Sequence, residues 1–249
     1  LISIVLVAGA SIFFLPDIGP GWFWHPTPFN RRFVGAVYLT ELVTSIIMLR
    51  VNRWAPARLV LPGSIAFSTL VSLLSIIYFD RLDPEHALRP IWFILYFGST
   101  LLFAYFRWEY RHWPPADARA TPTAWRNYLT AQGIVLGLYG VAQLAAPSTA
   151  SAFWPWPIDD FHGRFYSAVF ITLAISSVVM QRVAARIEWF TLGAAQVTFG
   201  LFAIVGLVTV DLGLHRVDWL APGTWLWVGA FAVMLVAGIR MLARARRLA

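Results

Sequence analysis

Eight long apolar runs, each bounded by arginine, proline or clustered aromatic residues, divide the chain at about 1–15, 33–49, 59–79, 90–106, 125–144, 165–181, 189–210 and 224–239. A helix needs about 20 apolar residues to cross the hydrocarbon layer of a bilayer, with 17 at the short end of the range. In water such runs would have to bury one another almost completely, and the chain lacks the polar surface to cover them: only 12% of its 249 residues are charged and 59% are apolar. Mean hydropathy is +0.68. Membrane-spanning strands would show alternating segments of about ten residues, whereas the stretch Leu201-Phe202-Ala203-Ile204-Val205-Gly206-Leu207-Val208 does not alternate. The expected fold is therefore all-α: a polytopic membrane protein of about eight transmembrane helices. The sequence opens at Leu1 within an apolar run, so it is expected to start inside its first helix.

Orientation follows from arginine. Thirteen arginines (50, 53, 58, 107, 111, 119, 126, 182, 186, 240, 244, 246 and 247) fall in one set of connections, and six (31, 32, 81, 89, 164 and 216) fall in the other. Basic residues near span ends are retained on the cytoplasmic side, which predicts both termini in the cytoplasm and an inner-membrane location. Indole rings prefer the headgroup level, and all 13 tryptophans fall near span ends in this threading, none at a centre.

The chain also reads as a tandem repeat. A shift of 132 residues superposes Arg32 on Arg164, Phe33 on Phe165, Ala36 on Ala168, Val37 on Val169, Thr40 on Thr172, Ser45 on Ser177, Met48 on Met180, Arg50 on Arg182 and Val51 on Val183. The expected organisation is a four-helix repeat over residues 1–113, a cytoplasmic linker over 114–124 that contains Pro114, Pro115 and Pro122, and a second four-helix repeat over 125–249. Four crossings return the chain to the side it left, so the repeats are parallel and the inverted-repeat transporter architecture is disfavoured.

Several chemistries drop out on composition. There is no cysteine, so thiolate nucleophiles, disulfides and thiolate metal sites are excluded. All 19 basic residues are arginine, which excludes Schiff-base chemistry on lysine. The net charge of +7 is dispersed over connections and does not form one nucleic-acid-binding face. All five histidines (25, 86, 112, 162 and 215) lie at span ends or connections, which disfavours haem ligated from facing helices. No nucleophile and base pair up, so enzyme activity is not expected.

Two clusters stand out as candidate sites. Glu41 is the only acidic residue expected inside a span, where an ionisable group costs several kcal/mol unless it is neutral, paired or hydrated. Tyr38, Thr44 and Ser45 lie on its helical face, and the next span carries Ser64, Ser68, Ser72 and Ser75 at helical spacing. Facing each other, the two stripes would make a polar seam. The equivalent of Glu41 in the second half is Leu173. Two readings stay open: close packing through small hydroxyl residues, or a proton-linked or ligand site.

The second cluster is the outer interfacial segment: Trp24 and His25 in the first half, and Trp154, Trp156, Asp159, Asp160, His162 and Arg164 in the second. Two carboxylates and one histidine are weak grounds for a metal, and helix capping together with interfacial anchoring explains the pattern as well, with Asp160 expected to open the helix. No metal or cofactor is predicted, although an interfacial lipid or pigment stays open as a ligand, since one histidine suffices to ligate a chlorin magnesium. The tryptophan–proline–tryptophan segment before a membrane helix resembles that of uncharacterised bacterial multi-pass membrane proteins, a resemblance that implies no activity. The leading functional expectation is a structural or accessory subunit packing against other membrane proteins, lipids or pigments. The alternative is a small proton-linked transporter or permease using Glu41.

Overall fold

A computed structural model describes residues 2–15, 24 and 26–248. The chain is nearly all helical: α1 (Ile2–Phe14), α2 (Pro28–Val51), α3 (Trp54–Ile77), α4 (Leu88–Glu109), α5 (Thr123–Ala145), the single turn α6 (Pro147–Ala150), α7 (Asp160–Met180), α8 (Arg186–Leu214) and α9 (Pro222–Arg247). Among the described residues seven helices, α2 to α5 and α7 to α9, are long and apolar enough to cross a membrane, as a multi-pass membrane protein requires. At 13 residues, α1 is shorter than these.

Local sequence accounts for the helix ends. Thr27 caps α2, its hydroxyl accepting from the Asn30 amide at 3.4 Å, and Pro28 occupies the first turn, where its missing N–H costs nothing. Asp159 caps α7 in the same way, accepting from the His162 amide at 2.8 Å. The cap is thus one residue before Asp160, which is already helical. Asn52 ends α2 in the left-handed conformation with φ 47°, a role asparagine tolerates better than most residues. In the last turn of α8 the buried Asp211 carboxylate accepts from the Arg216 and Val217 amides at 2.8 Å each and from the Trp219 indole at 2.7 Å, tying the helix to the connection that follows it.

Two compact units form, each from distant stretches of chain: Leu1–Asn52, Ala152–Pro157 and Trp189–Ala249 in one, Arg53–Ser151 and Ile158–Glu188 in the other. The first contains α1, α2, α9 and nearly all of α8. Its core at one end is aromatic, with Phe29, Phe33, Trp154, Trp156, Phe199, Trp227 and Phe231 all buried. Phe29 stacks on Trp156 at 5.4 Å, and Phe33 meets Trp154 edge-on at 5.1 Å and Phe199 at 5.5 Å. Glycine lets α8 and α9 approach to backbone contact. A Cβ added at Gly238 would lie 2.7 Å from the Gly193 carbonyl oxygen, and one at Gly200 would lie 2.7 Å from that of Phe231.

The second unit contains α3, α4, α5, α6 and α7, and α7 is the most buried of the spans. It packs against both α5 and α3. The α3 contact closes at Gly63, whose carbonyl accepts from the Thr172 hydroxyl at 3.1 Å and where an added Cβ would meet the Thr172 methyl at 2.8 Å. A two-stranded antiparallel clip, β1 (Arg119–Ala120) with β2 (Val183–Ala184), ties the segment after α4 to the α7–α8 connection. Thr121 extends it: its amide donates to the Arg182 carbonyl at 3.0 Å, and its buried hydroxyl donates to that of Met180 at 2.7 Å.

Candidate functional site

The residues that sequence reasoning singles out fall into three separate places. Tyr38, Glu41, Thr44 and Ser45 lie on α2 in the first unit. Tyr38 is buried, its ring filling the space over Gly9 of α1, where no Cβ fits. The Thr44 hydroxyl donates to the backbone carbonyl of Glu41 at 3.0 Å, not to its carboxylate. Glu41 is half-buried, and its carboxyl group has no hydrogen-bond or ion-pair partner among the described residues.

Ser68 and Ser72 lie on α3 in the second unit, where the serine stripe turns to α4. Ser68 donates to the Ser64 carbonyl at 2.8 Å and accepts from Thr100 of α4 at 2.9 Å. Ser75 donates to the Val71 carbonyl at 2.7 Å and accepts from the Trp92 indole at 2.8 Å. Ser72, between them, is buried, and its hydroxyl has no partner among the described residues. Small residues that return their own proton to the preceding turn and still accept one from a neighbouring span hold two helices close without an exposed polar group.

The outer segment divides. Trp154 and Trp156 are buried in the aromatic core of the first unit, and the Trp156 indole donates to the buried Asn30 side chain at 2.9 Å. Trp24 is half-buried; His25 lies outside the described residues. Asp159, Asp160, His162 and Arg164 belong to the second unit. One Asp159 oxygen accepts from both the His162 amide and its Nδ1, each at 2.8 Å, while the buried Nε2 has no partner among the described residues. Burial alone would push the Asp159 carboxyl up, but the side-chain and backbone hydrogen bonds from His162, with the charges of His162 and Arg81, hold it below its ordinary value. Arg164 donates to the Leu144 carbonyl at 3.1 Å and to the Tyr78 hydroxyl, and approaches Asp160 at 3.6 Å. These contacts fasten the start of α7 to the ends of α5 and α3.

Sequence reasoning missed the best-made ion pair. Glu188, fully buried, accepts from Arg58 Nε and Nη2 at 2.7 Å each and from the Ala185 amide at 2.7 Å; Arg58 also donates to the Val183 carbonyl at 3.2 Å. Half of this was legible: Glu188 stands at the third position of α8, where a carboxylate reaches back to the amide preceding the helix. The partner, 130 residues away, carried no signal.

Among the described residues no three histidine, aspartate or glutamate side chains converge to hold a metal ion. Searches of protein-family models, curated proteins and solved structures find no match to this chain.

Proposed function

We propose that the chain is a membrane-embedded, non-catalytic accessory subunit whose lateral face packs against other membrane proteins, with lipid or pigment at the margin. The observation that carries this reading is α4. It packs on α3 along the Ser68–Thr100 and Ser75–Trp92 contacts, and its other side exposes Ile94, Leu101, Tyr105 and Trp108, a continuous stripe of one helical face. The hydroxyl groups of Thr40, Ser68, Ser75, Thr100, Thr172 and Ser177 support it too, because each bonds to its own helix or to the next one. A photo-crosslinking residue at Ile94 tests the reading in native membranes. A discrete protein adduct supports it, and adducts to lipid alone overturn it.

A second reading, a small proton-linked transporter or permease, draws on Glu41, whose carboxyl lacks a partner among the described residues. Glu41→Gln keeps the shape and most of the hydrogen-bonding capacity but cannot ionise. Loss of proton-coupled uptake in proteoliposomes with unchanged abundance would favour this reading, and a silent variant would end it.

For the architecture we propose eight crossings, with α1 as the first, in two parallel four-helix repeats, both termini in the cytoplasm and the protein in the inner membrane. Equivalent positions doing equivalent work support the repeat. The caps Thr27 and Asp159 are 132 residues apart, as are the hydroxyls of Thr40 and Thr172, each of which donates at 2.8 Å to the carbonyl four residues earlier. Arg32 lies over the Phe13 ring at the end of α1 and against Gly206 of α8, while Arg164 binds the ends of α5 and α3. Each unit thus takes two helices from the first half and two from the second, an exchanged arrangement in keeping with paired four-helix ancestors.

A further inference from the structure

We infer that the last two turns of α9 form a binding site for the phosphate of an anionic phospholipid headgroup, built on Arg244 and flanked by Arg240 and Arg247. Positions 240, 244 and 247 share one face of the helix. Arg240 and Arg247 are exposed and Arg244 is half-buried, and none of the three makes an ion pair or side-chain hydrogen bond among the described residues.

Arg244 is the anchor. Its guanidinium lies over the ring of the buried Trp189 at 4.9 Å, and its buried Nε has no hydrogen-bond partner among the described residues. The glycine contacts of α8 and α9 set this geometry, because the close approach at Gly193 and Gly238 seats Trp189 beneath the end of α9. A stacked guanidinium has lost most of its freedom in advance and presents a planar fork of donors. The guanidinium is half-exposed and its terminal N–H groups meet no acceptor among the described residues, so they are left to an acceptor from outside the chain.

The described residues supply no anion there. Among the described acidic residues of the same unit, Glu41 sits within α2, while Asp211 in the last turn of α8 and Asp218 in the connection that follows lie at the opposite end of α9. Glu188, next to Trp189 in sequence, has both oxygens engaged by Arg58. The position favours a lipid as the source. At 26 residues α9 is about 39 Å long, longer than a hydrocarbon core of about 30 Å, so a span of this length carries its final turns into the headgroup layer. There a phosphodiester offers two acceptor oxygens to the fork, and the flanking arginines favour a lipid of net negative charge over a zwitterionic one.

The test uses the full chain in detergent, delipidated and titrated with phosphatidylglycerol or phosphatidylcholine, with bound lipid counted by native mass spectrometry and folding followed by thermal unfolding. Phosphatidylglycerol is expected to be retained about tenfold more tightly than phosphatidylcholine, and Arg244→Gln to weaken it by about tenfold or more. Arg244→Lys, which keeps the charge but loses the stacked fork, is expected to fall between. If Arg244→Gln fails to fold, the exposed double variant Arg240→Gln/Arg247→Gln takes its place with the same expected direction. Arg246→Gln, exposed and on another face of the helix, is expected to leave retention unchanged. Equal retention of the two lipids overturns the inference, as does an Arg246→Gln effect as large as that of the double variant. Displacement of the lipid by an equal concentration of inorganic phosphate would replace the lipid site with a site for the free anion.

Discussion

Replacing Arg58 by methionine removes the cation from a carboxylate that water cannot reach. Glu188 is fully buried and receives three hydrogen bonds at 2.7 Å, two of them from Arg58. In Arg58→Met only the Ala185 amide remains to stabilise the charge, and methionine fills the volume of the aliphatic stem, so packing changes little. Breaking a buried pair from one side costs about 3–5 kcal/mol, because the remaining ion is left uncompensated. The double variant Arg58→Met/Glu188→Met is expected to recover much of the loss, since an apolar pair of similar size is often neutral or stabilising in a buried position. Unfolding of the detergent-solubilised protein, followed by circular dichroism for wild type, both single variants and the double, closes a cycle whose coupling term isolates the pair. A loss below about 1 kcal/mol in Arg58→Met, the range of an exposed pair, would refute the argument that this contact clasps the second unit.

Asp159 sets an acid limit on the start of α7. Its carboxyl lies below its ordinary value in the fold, so its contribution is complete above the unfolded carboxylate pKa of about 3.9 and is lost as pH falls through the lower folded value. Asp159→Asn, which still caps, is expected to flatten that acid loss in a pH series of thermal unfolding while changing little at neutral pH. Gly238→Ala forces a Cβ to within 2.7 Å of the Gly193 carbonyl oxygen and should cost about 1–3 kcal/mol. Gly98→Ala, whose Cβ meets nothing within 4 Å, serves as the matched control. For orientation, cysteine at Ser148 is expected to react with an impermeant reagent from outside and cysteine at Ala118 only after permeabilisation; the reverse pattern overturns the proposed threading.

What the sequence made legible was whatever depends on local order. Apolar run length marked the seven long helices, because a bilayer demands a fixed number of apolar residues whatever the tertiary fold. Gly63, Gly193, Gly200 and Gly206 all fall within apolar runs, and each sits where an added Cβ would crowd a neighbouring helix. The same reading left the partners open. Trp154 and Trp156 suggested an interfacial belt, since indole at a span end usually means a headgroup contact, yet both are buried against Phe29 and Phe33. Arginine counts gave a threading but not the Arg58–Glu188 contact, because charge asymmetry is a sum over connections and carries no pairwise information. The serine stripe of α3 was visible as a polar face, and only the fold reveals that Thr100 and Trp92 of α4 donate to Ser68 and Ser75 within it. Glu41 was legible as an anomaly from hydropathy alone, and its carboxyl, without a partner among the described residues, remains one in the fold.

Native mass spectrometry of the protein, extracted in mild detergent from the cells that make it, measures most directly whether it works as a subunit. A stoichiometric assembly with at least one other membrane polypeptide, disrupted by an Ile94→Arg change on the exposed stripe of α4, is the expected result. A stable lone monomer that drives solute uptake in proteoliposomes and loses it on Glu41→Gln would contradict the subunit reading and put the transporter in its place.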